Sequence, residues 1–188
     1  MQGVVLHGFV APGPEGQLGF CPWLGPDEHL DQLDRGEVIL VNGIGSVSEP
    51  TLRRSAYLAG SHAGFSFASV IDLSAIIRPS VVLAPGVQVF AGAILNSDVQ
   101  VGENSIINSG VVIEHGSRIG AHTHIAPSAT LAGQVTIGDG SHVGIGATVI
   151  QGISVGSHCT VGAGAVVTRN IGDGLTAVGV PAVSRGND

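Results

Sequence analysis

The sequence predicts a mainly β protein, in which a parallel β-helix follows a small α/β unit. An aliphatic residue stands at every sixth position from Ile71 to Val167 without an insertion. Of the 188 residues, 44% are hydrophobic but only 4% are aromatic, and 30 are glycine. Short strands that wind around a narrow core need small aliphatic side chains and many turns, and a fixed short period is the signature of such a solenoid.

The N-terminal residues 1–70 contain no hexads and predict the α/β unit. Residues 37–45 (EVILVNGIG) predict a buried strand that ends in a glycine-containing loop. Residues 65–71 (FSFASVI) predict a strand that returns into the first coil. Residues 11–26 (APGPEGQLGFCPWLGP) are rich in turn formers and are expected to lie exposed.

A helix is predicted within this unit over SEPTLRRSAYLAG, residues 48–60. Ser48 is expected to cap it, Pro50 fits the first turn, and Gly60 is expected to end it. The order strand, loop, helix, strand is typical of a small α/β unit.

Residues 71–172 form the predicted coil region. Three hexads close one triangular coil, so residues three hexads apart stack at about the 4.8 Å spacing of neighbouring strands. The first residue of each hexad points inward and the fifth fills the remaining space. Glycine, Asn and Asp in turns such as VGEN and IGDG supply positive φ angles. Residues 173–188 are expected to leave the coil as a polar tail.

Stacking turns sequence spacing into candidate chemistry around His115. Gly133 lies three hexads after it and Ser97 lies three hexads before it, so the three share one column of the coil. His124 and His142 stack in another column. A histidine beside a glycine amide suits acyl transfer, since the imidazole accepts a proton and the N–H stabilises an oxyanion.

The other histidines are predicted to lie on the solvated surface and not in a catalytic site. For His142, packing against His124 is the alternative. The remaining histidines assigned to the surface are His7, His29, His62, His122 and His158.

The run INSGVVIEHG, HTHIAPSATLAGQVTIG, VGIGATVIQGISVG, VGAGAVVTRNI and VGVPA resembles the family of sialic-acid O-acetyltransferases and bacillosamine-pathway sugar N-acetyltransferases. The resemblance covers nearly the whole chain, most strongly 69–182. It implies a left-handed parallel β-helix and transfer of an acetyl group from acetyl-CoA to an amino or hydroxyl group of a sugar, possibly nucleotide-linked. It also implies a homotrimer with active sites between neighbouring β-helices, and no metal.

The resemblance assigns roles to individual residues. His115 in IEHG matches the general base, and His124 in HTHIAP matches a histidine that contacts acetyl-CoA near the thioester. Gly133 in LAG matches a backbone amide that faces the acetyl carbonyl.

Further along the chain, the resemblance implies the path of the cofactor. Ile145 in VGIGA and Ala163 in VGAGA match positions that line the pantetheine path. Arg169 is expected near the nucleotide end of CoA.

The residue after the base departs from the family pattern. Relatives carry Asp or Glu there, which stabilises the protonated imidazole, whereas this chain has Gly116. Glu114 precedes the histidine, but neighbouring strand residues point to opposite faces. Side chains of the adjacent coil that are expected to substitute are Asn96, Asp98 and Asn108; Asp98 shares a column with Gly116 and Gln134.

The N-terminal unit departs as well. The family begins with a strand and a glycine-rich nucleotide-binding loop, and VVLHGFVAPGP matches the strand after it. The expected acidic pair is replaced by Val10 and Ala11. The resemblance therefore implies a truncated N-terminal domain that keeps only the GIGS loop, Gly43 to Ser46, of the nucleotide site.

Two other functions compete with acetyl transfer. A homologue that has lost catalysis would serve as a scaffold. A zinc enzyme like the γ-class carbonic anhydrases shares this fold and would use His115, His122 and His124, but their spacing differs from the pattern of that class.

Charge and cysteine content limit the partners. The net charge is −7 and lysine is absent, which argues against nucleic-acid binding. No apolar run reaches the length of a membrane span and no signal peptide is evident. Cys21 and Cys159 form no CxxC motif, which favours reduced thiols and a cytoplasmic location.

Overall fold

The computed structural model describes residues 5–14, 21–46 and 50–185. The expected cap Ser48 lies outside these residues. Among the described residues, no helix has the length and hydropathy needed to cross a membrane.

The described part of the N-terminal unit contains two small parallel strand pairs and two helices. Its elements are β1 (Phe9–Val10), β2 (Trp23–Gly25), a 3₁₀ helix (Asp27–Gln32), β3 (Ile39–Leu40), α1 (Pro50–His62) and β4 (Ser66–Phe67). β1 pairs with β2, and β3 pairs with β4 across α1. The expected α/β order is confirmed, but the buried strand over 37–45 is wrong. Only Ile39 and Leu40 form strand, β3 pairs with β4 alone among the described strands, and Ile39 is 60% exposed.

Gly60 does not end the helix as expected. A Cβ there would lie 2.9 Å from Phe67 Cζ and 3.0 Å from Leu40 Cδ1, so glycine allows α1 to approach its two strands closely. The helix continues to His62, and the chain then turns at Gly64, which has a φ of +90°. The N–H of Phe65 donates to the Gly60 carbonyl, as at the end of many helices that stop at a glycine.

Three parallel sheets form the triangular coil, each strand pairing with those three hexads away. One sheet, here called the docked face because the N-terminal unit packs on it, contains β5 (Val70–Ile71), β8 (Gln88–Val89), β11 (Ile106–Ile107), β14 (His124–Ile125), β17 (His142–Val143) and β20 (Thr160–Val161). The second face contains β6 (Ile76–Ile77), β9 (Ile94–Leu95), β12 (Val112–Ile113), β15 (Thr130–Leu131), β18 (Thr148–Val149) and β21 (Val166–Val167). The third face contains β7 (Val82–Leu83), β10 (Gln100–Val101), β13 (Arg118–Ile119), β16 (Thr136–Ile137) and β19 (Ser154–Val155).

The hexad pattern predicts the core correctly. The first and fifth residues of the hexads are almost fully buried from Val87 to Ile171, apart from the partly buried Ile153. The first coil is more exposed, and Ile71 is 46% exposed because no coil covers it. The turn chemistry is also confirmed, since Asn104 of VGEN and Gly140 of IGDG have φ of 55° and 64°.

The coil does not end at Gly172 as expected. β22 (Thr176–Val178) pairs in parallel with β20, and Ala177 is fully buried. β23 (Val183–Arg185) then turns back antiparallel to β22. Thr160 pairs with Thr176, a spacing shorter than three full hexads, which is why the hexad count misses this last strand. The division of the chain at residues 70 and 172 into separate domains stays a prediction.

Candidate active site

His115 and Gly133 lie together at one edge of the coil, as their spacing predicts. His115 occupies the turn between β12 and β13, and Gly133 occupies the same turn one coil later; we call this edge, between the second and third faces, the His115 corner. A Cβ on Gly133 would lie 2.7 Å from His115 Nε2. The imidazole therefore lies directly on the glycine, at a place where no side chain fits beneath it.

The carbonyl of Gly133 is hydrogen-bonded, whereas its N–H has no acceptor among the described residues. Its carbonyl accepts a hydrogen bond from Gly152 N–H at 2.9 Å. Within the described part of the chain, no group accepts a hydrogen bond from Gly133 N–H. A proton acceptor and an unused N–H donor thus lie side by side, which is the arrangement that attack on a thioester carbonyl needs.

The expected acidic partner of His115 is not formed within the described residues of one chain. Asp98, Gly116 and Gln134 stack in one column, with φ of 63°, 67° and 58°. No described carboxylate or amide side chain hydrogen-bonds to the His115 ring. The Asn108 amide is engaged elsewhere, donating to His124 Nε2 at 3.1 Å. Whether Asp98 assists His115 stays a prediction.

His124 lies on the docked face under the N-terminal unit and is 5% exposed. Its Nδ1 lies 2.8 Å from Ser46 Oγ, and its Nε2 lies 3.1 Å from Asn108 Nδ2. Asn108 Oδ1 accepts from Ser109 N–H, which orients the amide with its NH₂ toward the ring. Nε2 is therefore the acceptor, and Nδ1 carries the proton that it donates to Ser46.

The electrostatic environment keeps His124 neutral. Burial, with smaller contributions from His142 and Arg53, lowers the pKa of His124 to about 4. A neutral imidazole with both nitrogens bonded holds the Ser46 loop on the coil. The contact with acetyl-CoA near the thioester stays a prediction for His124.

Two other histidines are also packed rather than solvated. His142 lies edge-on to His124 with ring centroids 4.9 Å apart, which confirms the packing alternative. The surface assignment of His122 is wrong, since its side chain is 11% exposed, bonds to Asn104 at 3.0 Å and meets the ring of Tyr57. α1 covers it, and burial lowers its pKa.

The structure divides the predicted cofactor residues between two edges. Arg169 lies exposed in the column of His115 and Gly133. Ile145, 60% exposed, and Ala163 lie one coil apart at the edge between the docked and second faces, here called the Ile145 corner. In a triangular coil the His115 corner lies opposite the docked face. One chain therefore does not bring His115 to His124 and the Ser46 loop.

Two surface cavities agree with this separation, since neither includes His115. The larger, about 440 Å³, lies on the third face and is lined by residues such as Gln100, Arg118 and Thr136. The smaller, about 220 Å³, lies between the docked face and the N-terminal unit and includes Ser46 and His124. His115 itself is exposed at its corner, and Gly133 beneath it is half-buried.

Sequence reasoning missed the polar cluster that attaches the N-terminal unit to the coil. Its buried members are Asn42, Arg53, Gln88 and Asn104. The VGEN turn containing Asn104 was identified only as a turn, and nothing in the hexad pattern marks Arg53. Among the described residues, no three His, Cys, Asp or Glu side chains are grouped to hold a metal ion.

Comparison with protein families finds two hexapeptide models in succession. Residues 98–133 match the bacterial transferase hexapeptide (six repeats), and residues 134–169 match the hexapeptide repeat of succinyl-transferase. No curated protein matches the sequence at a significant level.

Solved structures match almost the whole chain. A histidine-to-asparagine variant of perosamine N-acetyltransferase from Caulobacter crescentus, in complex with CoA and GDP-perosamine, is 35% identical with a TM-score of 0.87, over 96% of this chain and 85% of that chain. PerB from the same organism, in complex with the same two ligands, is 37% identical with a TM-score of 0.86, over 95% of this chain and 84% of that chain. The acetyltransferase domain of PglB from Neisseria gonorrhoeae, in complex with acetyl coenzyme A, is 28% identical with a TM-score of 0.86, over 95% of this chain and 85% of that chain.

These matches confirm the left-handed parallel β-helix and the resemblance on which the residue roles rest. They favour the acyltransferase function over the scaffold and carbonic-anhydrase alternatives. The chain therefore belongs to the hexapeptide-repeat family of acetyl-CoA-dependent sugar acetyltransferases.

Proposed function

We propose that the protein transfers the acetyl group of acetyl-CoA to the amino group of a nucleotide-linked amino sugar, with His115 as general base. The observation that carries this proposal is the His115 ring lying on Gly133, whose amide N–H donates to no group among the described residues. Among hydroxyl and amino acceptors the amine is favoured, because two of the structural relatives are 35% and 37% identical and bind an amino sugar joined to GDP.

The chemistry follows from the two groups at the His115 corner. The acceptor nitrogen attacks the thioester carbonyl carbon, and His115 takes the proton that the nitrogen loses. Gly133 N–H donates to the carbonyl oxygen as it becomes negative. When the carbon–sulfur bond breaks, the CoA sulfur takes the proton that His115 accepted, so CoA leaves as a thiol, the imidazole returns to its neutral form and the sugar carries an amide.

A neighbouring copy completes the site in this proposal. His115 is exposed at the corner opposite the docked face, whereas the Ser46 loop and His124 lie on the docked face. A homotrimer in which the His115 corner of one copy meets the docked face of the next brings the base to the loop, and cyclic contacts of this kind close into rings. Light scattering that gives only the 18.8 kDa monomer at micromolar concentration contradicts this arrangement.

The same contact between copies gives the cofactor a path, because the Ile145 corner borders the docked face. Gly133 and Arg169 lie along the His115 corner, and Ile145 and Ala163 lie along the Ile145 corner, so a groove between copies has residues of both on its walls. The exposed Ile145 side chain offers an apolar contact for the pantetheine arm, and the Arg169 guanidinium suits the phosphates.

The Asn42–Ser46 loop is our candidate for the acceptor site. The φ angles of Gly43 and Gly45 lie outside the left-handed region, and a Cβ on either would meet no atom of the described residues within 4 Å. The described part of the fold therefore does not require glycine at these positions. Glycine does allow a ligand to approach the backbone closely, and both residues are exposed.

A thiol-release assay tests the function. Purified protein with acetyl-CoA is presented with nucleotide-linked amino sugars, the free amino sugars and their hydroxyl analogues, and the product is identified by mass. We expect release of CoA with a nucleotide-linked amino sugar and a product heavier by one acetyl group. Release only with hydroxyl analogues contradicts the N-acetyl assignment, and no release with any sugar contradicts the function.

The buried free thiols of Cys21 and Cys159 suit the cytoplasm, where we place the enzyme.

A further inference from the structure

Within the part of the chain that the structure describes, Arg53 is a buried cation whose side chain donates only to backbone carbonyl groups. It points from α1 toward the coil and is 3% exposed. Its Nη1 donates to the carbonyl oxygens of Asn42 at 2.9 Å and Ile44 at 2.7 Å. Its Nε donates to the carbonyl of Asn104 at 3.1 Å. One guanidinium thus joins the helix, the loop and a turn of the coil.

Side chains on both sides repeat the same attachment. Gln88 Nε2, on the docked face, donates to the Asn42 carbonyl at 2.7 Å. Asn42 Nδ2 donates to the carbonyl of Arg53 at 2.8 Å and to Asn104 Oδ1 at 3.1 Å, while Asn42 Oδ1 accepts from Ile44 N–H. We call the four residues Asn42, Arg53, Gln88 and Asn104 the Arg53 clamp.

A clamp of this kind is costly if its only purpose is to hold two units together. Burial lowers the pKa of Arg53 to about 10, so the side chain is still charged at neutral pH. Within the described residues, no carboxylate lies at ion-pair distance from it. Apolar residues of similar volume hold buried surfaces together at least as well as buried charges do. The polar bonds instead give direction, because they fix where each carbonyl of the loop points.

We infer that Arg53 is a positioning residue for the acceptor sugar, acting through the Asn42–Ser46 loop. The clamp holds the loop from below by the carbonyls of Asn42 and Ile44, and Ser46 is held by His124. The exposed side of the loop is left for the acceptor. This inference rests on the proposed function, since the loop is the acceptor site only in that proposal.

The planar guanidinium is what the geometry requires. Two loop carbonyls and one coil carbonyl are bonded through two different nitrogens, which a single ammonium group does not reproduce in the same directions. Arg53→Lys keeps the charge and loses the geometry, and it is therefore a sharper variant than alanine. Gln88→Met removes one bond to the same Asn42 carbonyl from the coil side and keeps the length of the side chain.

The experiment measures both substrates separately for the wild type and the two variants. For Arg53→Lys we expect kcat/KM for the acceptor to fall by about 10- to 100-fold, the usual cost of a displacement near 1 Å, with the KM for acetyl-CoA unchanged. Gln88→Met is expected to change the acceptor parameter in the same direction by less. Arg54→Lys is the matched control, since Arg54 is the next residue of α1 and is exposed; its kinetics are expected to equal the wild type.

A structural effect has a different signature. If Arg53→Lys only loosens the fold, the melting temperature and kcat fall while both KM values stay at the wild-type level, and the inference is overturned. Unchanged acceptor kinetics in both variants overturn it as well.

Hydrogen exchange gives a readout that does not need turnover. Ile44 N–H donates to Asn42 Oδ1, so Arg53→Lys is expected to speed exchange at Ile44 while amides of the coil core keep their protection. Unchanged exchange at Ile44 shows that Arg53 does not hold the loop. If the wild type acetylates no sugar but exchange at Ile44 does speed up, the proposed function fails and the clamp is confirmed as a loop anchor without an acceptor role.

Discussion

The His115 corner and the docked face use histidine in opposite ways. His115 is exposed, lies on a glycine and forms no hydrogen bond through its ring within the described part of one chain. His124 is 5% exposed and both of its ring nitrogens are bonded. An exposed imidazole without hydrogen bonds is free to exchange a proton with a substrate. An imidazole with both nitrogens hydrogen-bonded is fixed in a single tautomer and holds its partner groups in place. We therefore expect the His115 corner to carry the chemistry and the docked face to position the Ser46 loop.

Replacing His115 is the strongest test of this division. His115→Ala is expected to lower kcat/KM by about 10²- to 10⁴-fold, the usual contribution of one positioned proton acceptor. The oligomer and the melting temperature are expected to stay the same, because the side chain lies outside the aliphatic core. Steady-state kinetics and light scattering measure these.

His158→Ala is the matched control for that variant. His158 also lies on a glycine, with Nδ1 2.7 Å from where a Cβ of Gly140 would be, but it occupies another edge of the coil. The rate of His158→Ala is expected to stay within a few-fold of the wild type, because this change removes an imidazole that packs on a glycine but leaves His115 in place. Equal losses in the two variants would mean that the His115 corner has no special role.

Filling the space under the imidazole is expected to have the next largest effect. In Gly133→Ala the new Cβ would lie 2.7 Å from His115 Nε2, so the ring must move while the backbone amide stays. We expect activity to fall by about 10²-fold with little change in stability. Gly172→Ala is the control, because its Cβ would lie at an ordinary 3.8 Å from Leu175 Cδ1. Full activity in Gly133→Ala contradicts the placement of the base.

The docked face is expected to respond to acid. The pKa of His124 is about 4 in the folded chain against 6.5 for the free side chain, so the unfolded chain binds more protons between these values. Stability therefore rises with pH across this window and is lost as pH falls from about 6.5 toward 4. From the pKa difference of His124 alone, lowering the pH from 7 to 5 is expected to lower the free energy of unfolding by about 2 kcal/mol.

Urea unfolding at both pH values, at a fixed protein concentration, measures this effect. His124→Gln has no titrating ring at this position and is expected to lose the part of the difference that His124 contributes, while the part from the buried His122 and His142, whose pKa values burial also lowers, remains. His62→Gln, at the exposed end of α1, is the control and is expected to keep the whole difference. An equal pH dependence in wild type and His124→Gln shows that another group is responsible.

The two regions also differ in how far the sequence predicts them. The coil follows a fixed spacing, so the position of every residue along it is known once the period is recognised, and His115 and Gly133 meet as expected. The contacts of the docked face arise from the packing of a non-repetitive unit on the coil, and no period relates Arg53 to Asn104 or Ser46 to His124. His122 shows the consequence, since it occupies a regular turn position with a φ of 55° like Asn104 and is covered only because α1 lies over it.

Adding a methyl group to the loop is expected to have a smaller and more selective effect. The new Cβ in Gly43→Ala and in Gly45→Ala would meet no atom of the described residues within 4 Å, so the melting temperature should be unchanged or slightly higher. If the acceptor lies against this backbone, its KM rises by about tenfold, the order of effect of one methylene in a fitted site. The KM for acetyl-CoA is the internal control and should not change. Wild-type values for both substrates place the acceptor elsewhere.

The smallest expected effect concerns the acidic partner that Gly116 does not provide. Asp98 is exposed and stacks one coil below Gly116, and an exposed charge contributes about 0.2–1 kcal/mol to a nearby cation, so Asp98→Asn should slow the enzyme by at most about fivefold. Gly116→Asp should restore the loss, because Asp98 itself shows that an aspartate fits this column at a φ of 63°, close to the 67° of Gly116. Gly92→Asp, at a φ of 68° on the Ile145 corner, adds the same charge away from His115 and should not restore it.

The pH–rate profile of these variants separates the outcomes. A carboxylate beside the imidazole favours its protonated form, so the pH–rate profile of Asp98→Asn should move to lower pH. The profile of the double variant, Asp98→Asn with Gly116→Asp, should move back. If neither profile moves, no carboxylate of this column assists His115, and the histidine accepts the proton of the acceptor without an acidic partner.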